Sequence, residues 1–154
     1  VTICAVYPDA EGKKNECAPG DGWRLSSEDN DVSVAFTVQV PAGVRLVAST
    51  VNGEIEAGGI GADVKAATVN VDVKVSTCGL ARATTVNGSI QASMGRADWS
   101  GTTSFNTVNG SITVELPGSA STDVSASTVN GSMNIEFQHC EWVHYVVIAW
   151  QCQH

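Results

Sequence analysis

Basic residues are scarce in this sequence: eight Lys and Arg stand against sixteen Asp and Glu, and the formal net charge is −8. A nucleic-acid binder needs a basic stripe that neutralises phosphates, and the few basic residues here are scattered. The same shortage disfavours contact with anionic membrane surfaces. The composition therefore predicts an acidic, soluble protein without a nucleic-acid partner.

Long apolar runs and histidines are also lacking. No run of about 18 apolar residues occurs, which predicts that there is no transmembrane segment. All three histidines lie at the C-terminal end of the chain, and no G-x-S-x-G motif is present. Nucleophilic hydrolysis needs Ser or Cys beside a His and an orienting carboxylate. We therefore expect no enzyme activity, no catalytic residues and no cofactor.

Two groups of residues have the chemistry of metal ligands, but each has a simpler explanation. Cys–His pairs in the tail suit zinc or copper, yet their spacing matches no standard zinc finger, and a disulfide with exposed histidines is favoured. An acidic run could bind calcium, yet it lacks the glycine and the distal Glu of an EF-hand, and a polar loop is favoured. No metal site is predicted. The two groups are Cys140, His144, Cys152 and His154 in the tail and Glu28, Asp29 and Asp31 near the N-terminus.

Five cysteines fall into two sequence-local pairs and one single residue. Cys4 with Cys17 and Cys140 with Cys152 are the expected disulfides, and Cys78 remains single. The alternative is a set of buried or free thiols, since Cys is often a small core residue. The paired pattern favours an oxidising compartment and hence an extracellular or cell-envelope location.

The most prominent feature is a repeated tetrapeptide. The sequence "TVNG" occurs at residues 50–53, 85–88, 107–110 and 128–131, and it returns as "TVNV" at residues 68–71. A period near 20 residues is typical of a solenoid and is shorter than helical solenoid repeats. We therefore predict an all-β solenoid or β-roll.

Alternating apolar residues flank each tetrapeptide, which predicts one short strand before it and one after it. The inward-facing parity changes within the tetrapeptide, so a corner or bulge must lie there. Asn-Gly tolerates positive φ and would supply this corner. Because Asn-Gly is also a strong hairpin signal, a meander of hairpins is the structural alternative. The inward residues are Leu46, Ala48, Val64, Ala66, Ala81, Ala83, Thr103, Phe105, Val124 and Ala126 before the corners, and Ile55, Ala57, Val73, Val75, Ile90, Ala92, Ile112, Val114, Met133 and Ile135 after them.

Stacked coils are preferred to a meander because they place equivalent positions directly above one another. Identical residues are then useful, since their side chains form ladders. The sequence predicts about five coils, spaced by roughly 4.8 Å, with a variable loop opposite each corner. An amide ladder is predicted for Asn52, Asn70, Asn87, Asn109 and Asn130, and a hydroxyl ladder for Thr50, Thr68, Thr85, Thr107 and Thr128.

The solenoid, predicted for residues 44–137 of a single domain, needs caps at both ends. Residues 1–43 are predicted as an N-terminal β cap, with the clearest strand at residues 32–40. Residues 138–154 abandon the repeat and read as a strand-forming tail that would be adhesive if uncovered. This tail packs either on its own solenoid or on a neighbouring molecule. Its candidate assembly residues are Trp142, Val143, Tyr145, Val147 and Trp150.

Several stretches together carry a family resemblance. "VYPD", "NEC" and "DNDVSVAFTVQVPAGV", followed by repeated "TVNG.I.A", by "GRADW" and by "TVNGSITVELP", resemble a bacterial family of adhesin-type domains of unknown function. The resemblance covers about residues 1–137 and implies a β-solenoid-like domain of an exported or envelope protein with a non-enzymatic surface role. It brings no catalytic or ligand residues. The chain departs from the pattern at "TVNV" and in the tail after Phe137.

Two functions remain. The first is a structural subunit that assembles with itself through the solenoid ends and the tail into a filament or surface layer. The second is a monomeric, adhesin-like envelope module that binds an unidentified surface ligand. Self-association is preferred because the tail needs a partner surface and the sequence indicates no ligand pocket.

Overall fold

The structure is a computed structural model that describes residues 1–6, 17, 33–96 and 99–138. The chain divides into two compact units between Gln39 and Val40. In the N-terminal unit, Cys4 and Cys17 form a disulfide with a Cα–Cα distance of 6.0 Å, which confirms the pairing expected for these two residues. Cys78 is also disulfide-bonded, although the sequence leaves it as the single fifth cysteine.

In the parts of the chain that the structure describes, the second unit contains ten short β-strands, and no helix occurs. The described residues therefore contain no helix that is long and apolar enough to cross a membrane. The strands are β1 (Leu46–Ser49), β2 (Ile55–Ile60), β3 (Val64–Ala67), β4 (Val73–Thr77), β5 (Ala81–Thr84), β6 (Ile90–Met94), β7 (Thr102–Asn106), β8 (Ile112–Pro117), β9 (Asp123–Ser127) and β10 (Met133–Gln138).

Odd-numbered and even-numbered strands form two separate five-stranded sheets. The first sheet has the order β1-β3-β5-β7-β9 and the second the order β2-β4-β6-β8-β10. All neighbours are parallel, and equivalent residues are paired, as in Val75 with Ala92 and Ala92 with Val114. This topology confirms the all-β solenoid and excludes the meander, because hairpins would give antiparallel neighbours. The first coil comprises β1 and β2, and the last coil comprises β9 and β10.

The core lies between the two sheets and follows the predicted alternation. β6 and β8 bury every second residue and leave the residues between them at least partly accessible. Phe105 is the largest of the fully buried side chains, and Ile90, Ile112 and Leu116 pack in the same core. Fully burying one such side chain contributes about 1.5–3 kcal/mol. Because each coil contributes only a few of them, a coil depends on its neighbours for stability.

The N-terminal strand predicted at residues 32–40 is not formed within residues 33–40, and residues 1–6 adopt no strand either. Val34, Phe36 and Val38 are exposed. Alternation of apolar residues selects the face of a strand, but a strand also needs a hydrogen-bonded neighbour. No described residue pairs with residues 33–40. The division of the chain into cap, solenoid and tail stays a prediction.

Several predicted residues lie outside the described part of the chain. They include the expected second disulfide, the candidate metal ligands and the candidate assembly residues of the tail. These residues are Cys140, Cys152, His144, His154, Glu28, Asp29, Asp31, Trp142, Val143, Tyr145, Val147 and Trp150.

Candidate functional site

The five repeat asparagines form one continuous chain of side-chain hydrogen bonds. From the second coil onward, the Nδ2 of each asparagine donates to the Oδ1 of the asparagine in the preceding coil. The donor–acceptor distances are 2.7 Å from Asn70 to Asn52, 3.2 Å from Asn87 to Asn70, 2.8 Å from Asn109 to Asn87 and 2.8 Å from Asn130 to Asn109. The ladder is exposed and has a direction, because every bond is donated toward the first coil.

The repeat threonines do not bond to one another. Instead, the hydroxyls of the four later threonines donate to backbone carbonyls of the preceding coil. Thr107 donates to Gly88 O at 2.8 Å and Thr128 to Gly110 O at 2.9 Å. Thr50 has no preceding coil in the solenoid, and its hydroxyl accepts the N–H of Gly53 at 3.2 Å. The sequence predicted a ladder of hydroxyls that bond to one another. In the structure the hydroxyls of the later threonines instead connect adjacent coils by bonding to backbone carbonyls.

The glycines of the repeat are needed for close approach between coils. A Cβ at Gly88 would overlap the carbonyl of Val71, a Cβ at Gly110 that of Gly88, and a Cβ at Gly131 that of Gly110. None of these glycines has a positive φ; the described glycines with that conformation are Gly43, Gly59 and Gly101. For the repeat glycines the explanation by positive φ was therefore wrong, and their physical requirement is the short distance between stacked backbones.

The altered repeat "TVNV" marks a looser contact. Val71 occupies the position that glycine holds in the other coils. At this corner the hydroxyl of Thr68 lies 3.5 Å from Gly53 O, which is longer than the 2.8 Å between Thr107 and Gly88 O. A side chain is thus present at the corner where the threonine hydroxyl makes the longer contact. The asparagine ladder nevertheless passes through Asn70 without interruption.

A second polar column lies immediately after the repeat and was missed from the sequence. The Asp72 carboxylate accepts the N–H of Ser89 at 2.7 Å, and the Ser89 hydroxyl accepts the N–H of Ser111 at 3.3 Å. Ser111 and Ser132 share a hydroxyl–hydroxyl hydrogen bond of 3.0 Å. The sequence pattern that indicates this column was present, since these residues all follow the tetrapeptide directly. Small polar residues at this position bind backbone N–H groups of the next coil.

The valines of the tetrapeptide form an exposed apolar column beside the amide ladder. All five are exposed, although they recur at the same position of every coil. Burial in the core therefore does not explain why valine recurs at this position of every coil. The column comprises Val51, Val69, Val86, Val108 and Val129.

The last coil presents an open apolar face, defined here as Met133, Ile135 and Phe137 of β10. Their exposed fractions are 54%, 42% and 61%. They pair in register with Ile112, Val114 and Leu116 of β8, which are 0%, 0% and 2% exposed. Residues that would be core in an interior coil are thus accessible at this end. β9 and β10 are also the edge strands of their sheets.

The outer face of the second sheet carries charged and polar residues. Lys74 Nζ and Glu54 Oε1 form an ion pair at 3.0 Å, and both side chains are about half exposed. The hydrogen bond and the charge of Glu54 raise the pKa of Lys74 above its ordinary value. A shallow depression beside them is lined by Glu56, Gln91 and Glu115 among others. Within the described ranges no group of three His, Cys, Asp or Glu side chains could hold a metal ion.

Comparison with known proteins gives one match. The family model described as Toastrack DUF4097 matches residues 20–144, which is most of the chain. No curated protein and no solved structure matches. A β-solenoid-like fold of unknown function agrees with the parallel coils described above.

Proposed function

The chain belongs to the Toastrack DUF4097 family, and on that premise we propose that it is a non-enzymatic, exported structural protein that self-associates through the last coil of its solenoid. The observation that carries this proposal is the open apolar face. Three apolar side chains are accessible there, whereas their neighbours in the preceding coil are buried. An exposed apolar end beside two strand edges that pair with no further described strand favours association.

A second copy of the chain is the occupant that we propose for this face. Ile55 and Ala57 of the first coil are already buried, so head-to-tail stacking would find less apolar surface in the second sheet at that end. Two last coils that meet around a two-fold axis bring the same residues of both copies together. Such an isologous contact closes at a dimer, whereas a filament or surface layer would need a further contact.

The expected affinity is low if only the open apolar face contributes. Burying the exposed part of its three side chains in both copies would contribute roughly 5–9 kcal/mol, since each side chain is about half exposed. Association itself costs an estimated 4–15 kcal/mol, roughly the same amount. The tail residues that follow Gln138 are expected to add apolar area to the contact. The net charge of −8 on each copy opposes association, so salt should strengthen it by screening.

Export is supported by the disulfide between Cys4 and Cys17. Disulfides form and persist in oxidising compartments and are rare in the cytosol. We therefore propose an extracellular or cell-envelope location.

Sedimentation velocity over a range of protein and salt concentrations tests the proposed self-association. The mass of the wild-type protein should rise toward a dimer with concentration, and more steeply at high salt. The double variant Ile135→Ser, Phe137→Ser should shift this transition to higher concentration. Asn134→Ser, on the same strand but outside the face, is the matched control and should behave as wild type.

Circular dichroism of each variant separates loss of association from loss of fold. A wild-type protein that stays monomeric under all conditions would contradict the proposal and favour a monomeric, adhesin-like binding module. Growth beyond the dimer would contradict the two-fold contact and favour a head-to-tail filament.

A further inference from the structure

Four of the five ladder asparagines are followed by glycine, namely Asn52, Asn87, Asn109 and Asn130, whereas Asn70 is followed by Val71. Asn-Gly is chemically labile in a flexible chain. The backbone nitrogen of the glycine attacks the side-chain Cγ of the asparagine, and the absent glycine side chain leaves that path unobstructed. The fold thus repeats a reactive dipeptide at nearly every corner.

The interior corners restrain this reaction. Asn87 and Asn109 each donate one amide hydrogen bond to the preceding coil and accept one from the next. The side chain must leave the ladder to bring Cγ to the attacking nitrogen, and both bonds are then lost. The attacking nitrogen is itself held at Gly110, whose N–H donates to Asn130 O at 3.1 Å.

The corner of the last coil lacks half of these restraints. Asn130 donates to Asn109 at 2.8 Å, but no further coil among the described residues donates to its Oδ1. The N–H of Gly131 likewise has no carbonyl above it in the described solenoid. At the other end, Asn52 is held by one bond from Asn70, and the N–H of Gly53 is held by the Thr50 hydroxyl.

We propose that Asn130–Gly131 is a site of spontaneous deamidation at which the position in the solenoid, and not the dipeptide alone, sets the rate. The Gly131 nitrogen forms a bond to Cγ of Asn130 and loses its proton, and the side-chain nitrogen leaves as ammonia. Water then opens the resulting succinimide at one of its two carbonyls to give Asp or isoAsp. The reaction exchanges an amide for a carboxylate at the free end of the ladder.

Peptide mapping by mass spectrometry of aged native protein measures all five sites in one sample. Losing one ladder bond in place of two should make Asn130 react about fivefold or more faster than Asn87 and Asn109. Asn52 should rank second, and Asn70 slowest because Val71 obstructs the attack. In urea the four Asn-Gly sites should react at similar rates, since the ladder is absent.

The variant Val71→Gly separates the effect of the position in the solenoid from the effect of the Asn-Gly dipeptide on the deamidation rate. It creates a new Asn-Gly at an interior corner, where a glycine already fits in the other coils. In the native protein Asn70 of this variant should stay at the slow interior rate, while in urea it should match the other Asn-Gly sites. The proposal would be overturned if, in the native protein, Asn87, Asn109 or the new site deamidated as fast as Asn130.

Discussion

The first and the last coil of the solenoid carry the same pattern but differ in burial. Ile55 and Ala57 of the first coil are 8% and 4% exposed, whereas Met133 and Ile135 at the equivalent positions of the last coil are 54% and 42% exposed. Among the described strands, both coils have a neighbour on only one side within their sheets. Burial at a terminal coil is therefore not set by its own sequence pattern alone. In the second sheet the apolar side chains of the first coil are buried and those of the last coil are accessible.

The largest expected effect comes from truncating isoleucine in three coils. Ile112→Ala in the interior should lower the free energy of unfolding by about 2–5 kcal/mol, because it leaves a cavity in a closed core. Ile55→Ala should fall at the low end of that range. Ile135→Ala should cost only about 1 kcal/mol, since solvent already reaches this side chain. Urea unfolding of the three variants measures this order, and equal losses would remove the difference between the two ends.

Alanine in place of the repeat glycines should also lower the free energy of unfolding more in an interior coil than in the last coil, but by smaller amounts. Gly110→Ala places a Cβ against the carbonyl of Gly88, between two neighbouring coils that restrict relaxation, and should cost about 1–3 kcal/mol. Gly131→Ala meets a comparable overlap but lies in a coil that can move outward, so the loss should be smaller. Gly58→Ala has open space around its Cβ and serves as the control. Thermal unfolding that ranked Gly131→Ala above Gly110→Ala would contradict an open last coil.

Removal of a ladder asparagine should lower the free energy of unfolding by a still smaller amount. Asn109→Ala deletes two side-chain hydrogen bonds, and Asn130→Ala deletes one. A net contribution of about 0.5–1.5 kcal/mol per bond, reduced by exposure, predicts that the interior variant is the less stable of the two. Chemical denaturation of both proteins under identical conditions provides the measurement. Indistinguishable midpoints would show that the ladder adds nothing to stability.

The smallest effect is expected for the ion pair between the first two coils. The pKa of Lys74 is raised by Glu54, so any stabilisation is complete below the ordinary lysine pKa and is lost as the pH rises through the raised value. Both groups are accessible to solvent, and the stability at neutral pH should hardly change. In Glu54→Gln, an NMR titration should show the Lys74 pKa falling toward its ordinary value. An unchanged pKa would place its cause elsewhere.

Much of the fold could be predicted because the solenoid repeats its own pattern. The alternation around each tetrapeptide predicted the strands and their inward faces, and the recurring asparagines predicted a column. The role of Gly110 could not be read from the sequence, because close approach to Gly88 appears only once two coils are stacked. Within residues 33–40 the predicted strand is not formed, because alternation does not reveal whether a partner strand lies beside it. The exposure of Ile135 was equally hidden, since its pattern is the same as that of Val114.

Hydrogen exchange measured coil by coil at several protein concentrations tests the central claim most directly. The account predicts that backbone amides of the interior coils, such as those of β6, are protected at every concentration. Those of β10 should be poorly protected in the dilute monomer and should gain protection as the protein associates. Protection of β10 equal to that of β8 at the lowest concentration would contradict an open last coil and, with it, the proposed contact between two copies.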